Sequence, residues 1–203
     1  LAYFHGLDLF GKMPFVTEAN LPGSFAPEQI LRTDLFNYIE QELLDLENKL
    51  GEPKFMYARA DKATAWMLLA KLYLNAEVYT GTARWTEAAT YAEKVINGPF
   101  SLATNYRQNF VADNHTSPEM IFPITFDGLR TQTFGGTTYL INASIGGDMP
   151  GIEFFGVQGR WGGLRTTSAF LDRFDDISGD TDTRALFWTQ GQSRTINDIA
   201  VFT

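Results

Sequence analysis

The chain has no cysteine and only two histidines, His5 and His115. Disulfides, thiolate zinc sites and cysteine nucleophiles are therefore excluded within it. The two histidines stand alone, with no paired ligand spacing. Basic charge is scarce as well: 16 Lys and Arg stand against 24 Asp and Glu, a formal net charge of −8. No basic stripe is available to replace phosphate counterions, so nucleic acid is not expected as a partner. No apolar run approaches the length of a transmembrane helix. No secretory signal is visible, although a missing natural N-terminus would take one with it. A nucleophile elbow, a phosphate-cradling glycine loop and an HExxH motif are all missing.

Apolar and aromatic residues are plentiful. Of 203 residues, 44% are hydrophobic and 14% aromatic, enough for one substantial core or for part of a larger one. Leu1 opens inside an apolar run that includes Phe4, Leu7, Leu9 and Phe10, and Ile199–Phe202 reads as a strand at the other end. Natural termini are usually polar and frayed, so the expectation is an interior piece of a longer protein. His5, inside the first run, reads as a packed and hydrogen-bonded core residue.

The most informative segment is 59–96. Its first part, through Tyr79, reads as one amphipathic helix, and Trp85–Ile96 as a second, with small residues on the facing sides. Trp66-x-x-Leu69-Ala70-x-x-Tyr73 matches the first helix of a tetratricopeptide repeat, with Ala where Gly is usual. A lone repeat cannot bury both its faces, so the pair must pack on other helices. One such helix begins near Asp34: Leu35, Ile39, Leu43, Leu46 and Leu50 recur at spacings of three and four, and Gly51 reads as its C-cap. Its acidic face (Glu40, Glu42, Asp45, Glu47) reads as solvated. The opening run reads as a buried helix leaving through Gly11–Phe15, and 17–32 as a surface connection. The fold class expected is mainly α, with tetratricopeptide-like pairs over 1–99 as a helical scaffold.

Beyond Pro99 the character changes. Residues 100–203 read as an irregular region with short helices and a few short strands. Pro118–Phe126 reads as an extended segment. Residues 127–165 form a long glycine-rich loop, of a kind that commonly carries function. A helix is expected over 166–174 with Thr166 as its cap, then strands at Leu186–Trp188 and Ile199–Phe202.

Two aromatic residues of the loop lie among glycines. Phe134 precedes Gly135-Gly136, and Trp161 lies between Gly159-Arg160 and Gly162-Gly163. Glycine neighbours remove side chains that would cover a ring, so such a ring can stand open. An open ring suits the apolar face of a pyranose. The sugar's hydroxyls then need planar polar partners, for which Arg160, Arg165, Asn142 and Gln158 are candidates. The alternative is that each ring plugs a hydrophobic hole beneath its own loop.

Several stretches, in order along nearly the whole chain, resemble one family. They are Asp8-Leu9-Phe10-Gly11-Lys12-x-Pro14-Phe15, Arg59–Ala63 through Leu72–Gly81, Tyr91-Ala92-x-Lys94-Val95-Ile96, and Asn105-Tyr106 ahead of Phe110-x-Ala112-Asp113-Asn114. Glu119-x-Ile121-x-Pro123-Ile124, Phe134-Gly135-Gly136-x-Thr138-Tyr139-Leu140 and Asp182-x-Arg184-Ala185-Leu186 follow. The chain resembles the SusD-like (RagB/SusD) glycan-binding lipoproteins, nearest to the starch-binding founder. That resemblance implies a non-enzymatic protein held by a lipid on the outer face of the outer membrane. It would bind starch-type α-glucan oligosaccharides and pass them to a SusC-like TonB-dependent transporter, beside other surface glycan-binding lipoproteins and an amylase. It also implies that Phe134 and Trp161 lie on an arc of sugar-stacking rings. At the first position the founder has Tyr; Phe keeps the surface and loses the hydroxyl.

Two further candidates are weighed. The acidic loop Asp175–Asp182 could take calcium, but it lacks EF-hand spacing and a closing glutamate, and a solvated loop explains it. Asp113, Asn114 and His115 could lend oxygens to a metal, or Asp113 and Asn114 could form a capping turn. No cofactor is expected. The competing functions are a tetratricopeptide-like interaction module without a sugar site and a glycoside hydrolase, since carboxylates abound.

Overall fold

The computed structural model describes residues 1–203 except 22, 24, 25, 112, 128, 147–158, 183, 186, 188–192, 197, 198 and 203. It is mainly helical, with seven α-helices and two small two-stranded sheets among the described residues. The chain divides into two compact units, Leu1–Thr104 with Asp113–Ile124, and Asn105–Ala112 with Thr125–Thr203.

In the first unit, α1 (Ala2–Phe10) buries Phe4, Gly6 and Leu7 and stops at Gly11, whose left-handed φ of 71° lets its N–H return to the Leu7 carbonyl. His5 is exposed, not a core residue. Helical geometry turns it about 100° from Phe4, away from the stripe that Phe4 and Leu7 share. A two-residue ribbon follows, β1 (Met13–Pro14) against β2 (Gln29–Ile30), antiparallel with Met13 opposite Ile30.

Helix α2 (Arg32–Glu47) buries Leu35, Phe36, Ile39 and Leu43. It starts before Asp34 and is capped at Asn48, so Gly51 is not its C-cap. Helix α3 (Lys62–Leu74) opens on a capping box: the Asp61 carboxylate accepts from the Thr64 N–H at 3.0 Å and the Thr64 hydroxyl accepts from the Asp61 N–H at 3.3 Å. The buried Asp61 carboxylate also accepts from the Lys54 N–H at 2.7 Å, so its burial leaves no unmet acceptor. Helix α3 buries residues around most of its circumference because it packs on both α2 and α5 (Trp85–Ile96). Ala65, Ala70 and Ala88 keep these contacts close, while Leu69, Leu72 and Tyr73 fill the space between helices. Fully burying each large aliphatic side chain here contributes roughly 1.5–3 kcal/mol.

The helix expected to run unbroken to Tyr79 is interrupted at Asn75, whose side-chain amide donates to the Lys71 carbonyl at 3.2 Å. Asn competes in this way with the helical ladder and favours ends over interiors. A short α4 (Ala76–Thr80) follows and closes on Gly81 at φ 82°. Pro118–Phe126 forms no strand. Loop contacts hold it instead: the Pro118 carbonyl accepts from Lys54 Nζ, and the Glu119 carboxylate accepts from the Ala103 N–H at 2.9 Å.

The acidic face of α2 is not simply solvated. Glu47 Oε1 accepts from the Trp66 indole N–H at 2.8 Å and pairs with Lys94, and its other oxygen accepts from the Tyr91 hydroxyl. Glu40 accepts from the Tyr73 hydroxyl at 2.7 Å and pairs with Arg84 at 3.2 Å. Tyr79 donates to Asp8 at 2.7 Å, joining α4 to α1. Burial, and then these carboxylates, push both phenols well above their usual range.

The second unit contains α6 (Gly136–Ser144), α7 (Ser168–Leu171) and the hairpin β3 (Ser193–Ile196) with β4 (Ile199–Phe202), Ser193 opposite Phe202. Helix α6 lies inside the stretch read as a continuous loop. Thr137–Ile145 is free of glycine and proline, long enough for a helix between two glycine-rich flanks. Helix α7 is shorter than expected and its cap position is Thr167 rather than Thr166. The strand expected at Leu186–Trp188 is not seen at Phe187, and the other two residues lie outside the described set; β4 pairs with β3 instead. The rings of Phe170, Phe174 and Phe187 meet at 5.2–5.9 Å, and Ala143, Ile145 and Ala185 are buried.

Candidate functional site

Phe134 and Trp161 are brought together by the two ends of α6. At its C-terminal end the helix leaves carbonyls without intrahelical partners. The segment 161–164 supplies them: the Trp161 N–H donates to the Asn142 carbonyl at 3.1 Å and the Leu164 N–H to the Ala143 carbonyl at 3.1 Å. The Gly162 N–H adds a bond to the Ile145 carbonyl at 3.0 Å. The two backbones pass within ordinary contact distance, and the backbone conformation of Gly162 is the feature that favours glycine. A Cβ on Gly146 would lie 3.5 Å from the Gly162 Cα, and Gly162 itself has φ +54°. At the other end, Phe134 precedes Gly135 and Gly136, the latter at φ +57°, and the chain turns there into α6.

The two rings end 6.3 Å apart between centroids, inclined at 45°. Phe134 is 84% exposed and Trp161 44% exposed, so neither fills a hole under its loop. A Cβ on Gly159 would lie in ordinary contact with the indole Nε1, at 3.6 Å, so Gly159 places no side chain at that edge of the ring. Arg160 is exposed directly before the indole. Of the other polar candidates, Asn142 donates to the Thr138 carbonyl at 2.9 Å and Arg165 donates to the Leu164 carbonyl at 3.0 Å. Gln158 lies outside the described residues.

A residue that sequence reading left outside this set is Phe126. It is 49% exposed, and a Cβ on Gly136 would lie 3.7 Å from its ring. The adjacent Asp127 carboxylate accepts from the N–H groups of Leu129, Arg130 and Thr131 at 2.6–2.9 Å. Those bonds, with Thr131 the strongest contributor, hold the Asp127 carboxyl down at about 2. No local signal marks Phe126 in the sequence, because its neighbour Gly136 is distant along the chain.

The acidic loop holds its own carboxylates. Asp176 accepts from the Ser178 hydroxyl at 2.7 Å and from the N–H groups of Ser178 and Thr181 at 2.8 and 3.1 Å, which lowers its carboxyl to about 2. Asp182 is held by Arg184. Oxygens facing backbone donors in this way do not fit a calcium shell. Among the described residues no group of three His, Asp or Glu is placed to hold a metal. His115 instead meets Tyr57 edge-on at 6.4 Å, at the rim of a ≈ 430 Å³ cleft that Pro118, Met120 and Ile121 also line.

Fold and site together define a mainly helical chain whose second unit carries an open, inclined pair of aromatic rings on glycine-bounded segments. No protein-family model matches the chain. It is 38% identical over 179 residues to the starch-binding protein SusD of Bacteroides thetaiotaomicron, covering 86% of this chain and 31% of that protein. In structure it matches a SusD-like protein of Bacteroides fragilis with a TM-score of 0.61 at 16% identity, over 85% of this chain and 33% of the other. The chain belongs to the SusD-like family. It spans about a third of the length of either relative. Among the described residues no helix is long and apolar enough to cross a membrane.

Proposed function

We propose that the chain contributes a non-catalytic binding surface for starch-type α-glucan oligosaccharides, with Phe134 and Trp161 as stacking rings and Arg160 as a polar neighbour. The observation that carries this reading is the inclination of two open rings at 45°. A flat glucan would stack on coplanar rings, whereas a chain that turns at each residue offers successive sugar faces at an angle. The indole N–H and the Arg160 guanidinium supply donors for hydroxyls at the sugar's edge. Identity to a relative described as starch-binding supports the same ligand class.

Within the full-length protein this surface would serve capture at the outer face of the outer membrane, under a lipid anchor. Bound glucan would pass to a SusC-like TonB-dependent transporter, with an amylase and further glycan-binding lipoproteins nearby.

Titration calorimetry of the full-length protein with maltoheptaose and with cellohexaose tests the ligand class. Heat with the first and little with the second is expected. Equal binding of both, or none of the first, would remove the α-glucan reading, and release of reducing ends from amylose would replace it with hydrolysis.

A further inference from the structure

We infer that Phe126 is a third stacking ring, extending the surface of Phe134 and Trp161 at the N-terminal end of α6; this rests on the glycan reading above. Three observations lead there. The ring is half exposed although large and apolar. It lies against Gly136, with 3.7 Å from the ring to the position a Cβ would take. Gly136 in turn is two residues from Phe134, so Phe126 lies at the same end of α6 as Phe134, whose ring meets that of Trp161.

The ring is also held ready. Asp127 gathers three backbone N–H groups and the Thr131 hydroxyl on one carboxylate oxygen, and Thr131 Oγ1 accepts from the Asp127 N–H at 3.2 Å. A turn tied this closely fixes the backbone from which Phe126 projects. A ring that needs no ordering on binding loses less conformational entropy when a ligand arrives. Gly136 suits this place by its left-handed backbone, and a Cβ there would only reach ordinary contact with the Phe126 ring.

A third ring beyond an adjacent pair contacts only ligands long enough to reach it. The consequence is a dependence on chain length: Phe126 should matter for long malto-oligosaccharides and not for short ones.

The test is calorimetry on full-length protein carrying Phe126→Ala or Phe126→Leu, with maltotriose and maltoheptaose as probes. Phe126→Ala is expected to weaken maltoheptaose by about threefold to tenfold, the size of one ring contact, and to leave maltotriose unchanged. Phe126→Leu, which keeps apolar bulk without a π face, should lose nearly as much. Unchanged binding of both sugars by Phe126→Ala overturns this inference alone. So does full retention by Phe126→Leu, or an equal loss for both sugars with a lowered melting temperature, which marks a packing role. If the unaltered protein binds neither sugar, the glycan reading falls and this one with it.

Discussion

The Trp66 indole donates to Glu47, 19 residues earlier, across 2.8 Å, and Lys94 and Tyr91 reach the same carboxylate from α5. One side chain of α2 thereby collects three partners from two other helices. Burial pushes the Glu47 carboxyl up, but the hydrogen bonds from Lys94 and Trp66, the Lys94 charge and the Tyr91 hydroxyl outweigh it and hold it below the usual range. A carboxyl depressed in the folded state contributes stability that is present above its unfolded pKa, about 4.3, and is lost as pH falls through the folded value. Glu47→Ala should cost about 1–3 kcal/mol, because it leaves partly buried donors unmet. Chemical denaturation at neutral pH measures that loss. The difference between Glu47→Ala and the unaltered protein should narrow as the pH is lowered below 4, and a constant gap would refute the linkage.

Tyr79 and Asp8 lie 71 residues apart and join α4 to α1. Tyr79→Phe keeps the ring in its buried place and removes only the hydroxyl. The expected loss is about 0.5–1.5 kcal/mol, toward the upper end because the acceptor is charged. Asp8→Asn on the Tyr79→Phe background should add little, and a double-mutant cycle reads that coupling.

Of the two rings in the proposed surface, Trp161 should matter more. Indole offers the larger stacking face and an N–H donor. Trp161→Ala is expected to lower maltoheptaose affinity by about tenfold or more, and Phe134→Ala by less. Melting temperature should move little in either case, since both rings are open. A large melting shift for Trp161→Ala would show that the ring supports the fold instead.

Gly162→Ala tests how that ring is held. At φ +54° an added Cβ costs about 1–2 kcal/mol, while its approach to the Gly146 Cα, 3.7 Å, is ordinary contact. Glycan binding should weaken although no sugar-facing atom is removed. Gly163→Ala, at φ +154°, meets nothing within 4 Å, so any loss of binding it causes comes from backbone strain alone.

Asp127 supplies a pH-dependent test in the second unit. Its carboxyl, held at about 2 by backbone donors, keeps the 127–131 turn ordered above the ordinary Asp value. The order is lost as pH falls through about 2. The amide resonances of Leu129, Arg130 and Thr131 should shift together with that midpoint, and separate midpoints near an ordinary carboxyl value would contradict the shared acceptor.

The helical scaffold was legible in the residue pattern because periodicity acts locally. Leu35, Ile39 and Leu43 repeat at helical spacing and are buried. The Trp66–Tyr73 signature lies in α3, and Gly11 and Gly81 stop the helices that precede them. Chain chemistry alone also placed Phe134 and Trp161 among glycines, which is why both could be named before their rings were known to be open. Side-chain partnership was not legible. Glu40 and Glu47 share their helix with Glu42 and with Asp45, which pairs locally with Lys49, and nothing in the spacing marks the two carboxylates that partners from other helices reach; only the packing of α3 and α5 does. His5 could not be told from its apolar neighbours until the buried stripe of α1 was set. Helix α6 was hidden by the glycines around it, and with it the link that seats residues 161–164 on the last carbonyls of 142–145. Propensity and periodicity are properties of neighbours along the chain, so sequence determined the scaffold helices and set the two rings among glycines. Contact between distant residues depends on how those helices pack, and only the tertiary structure decided which carboxylates are bound and which rings meet.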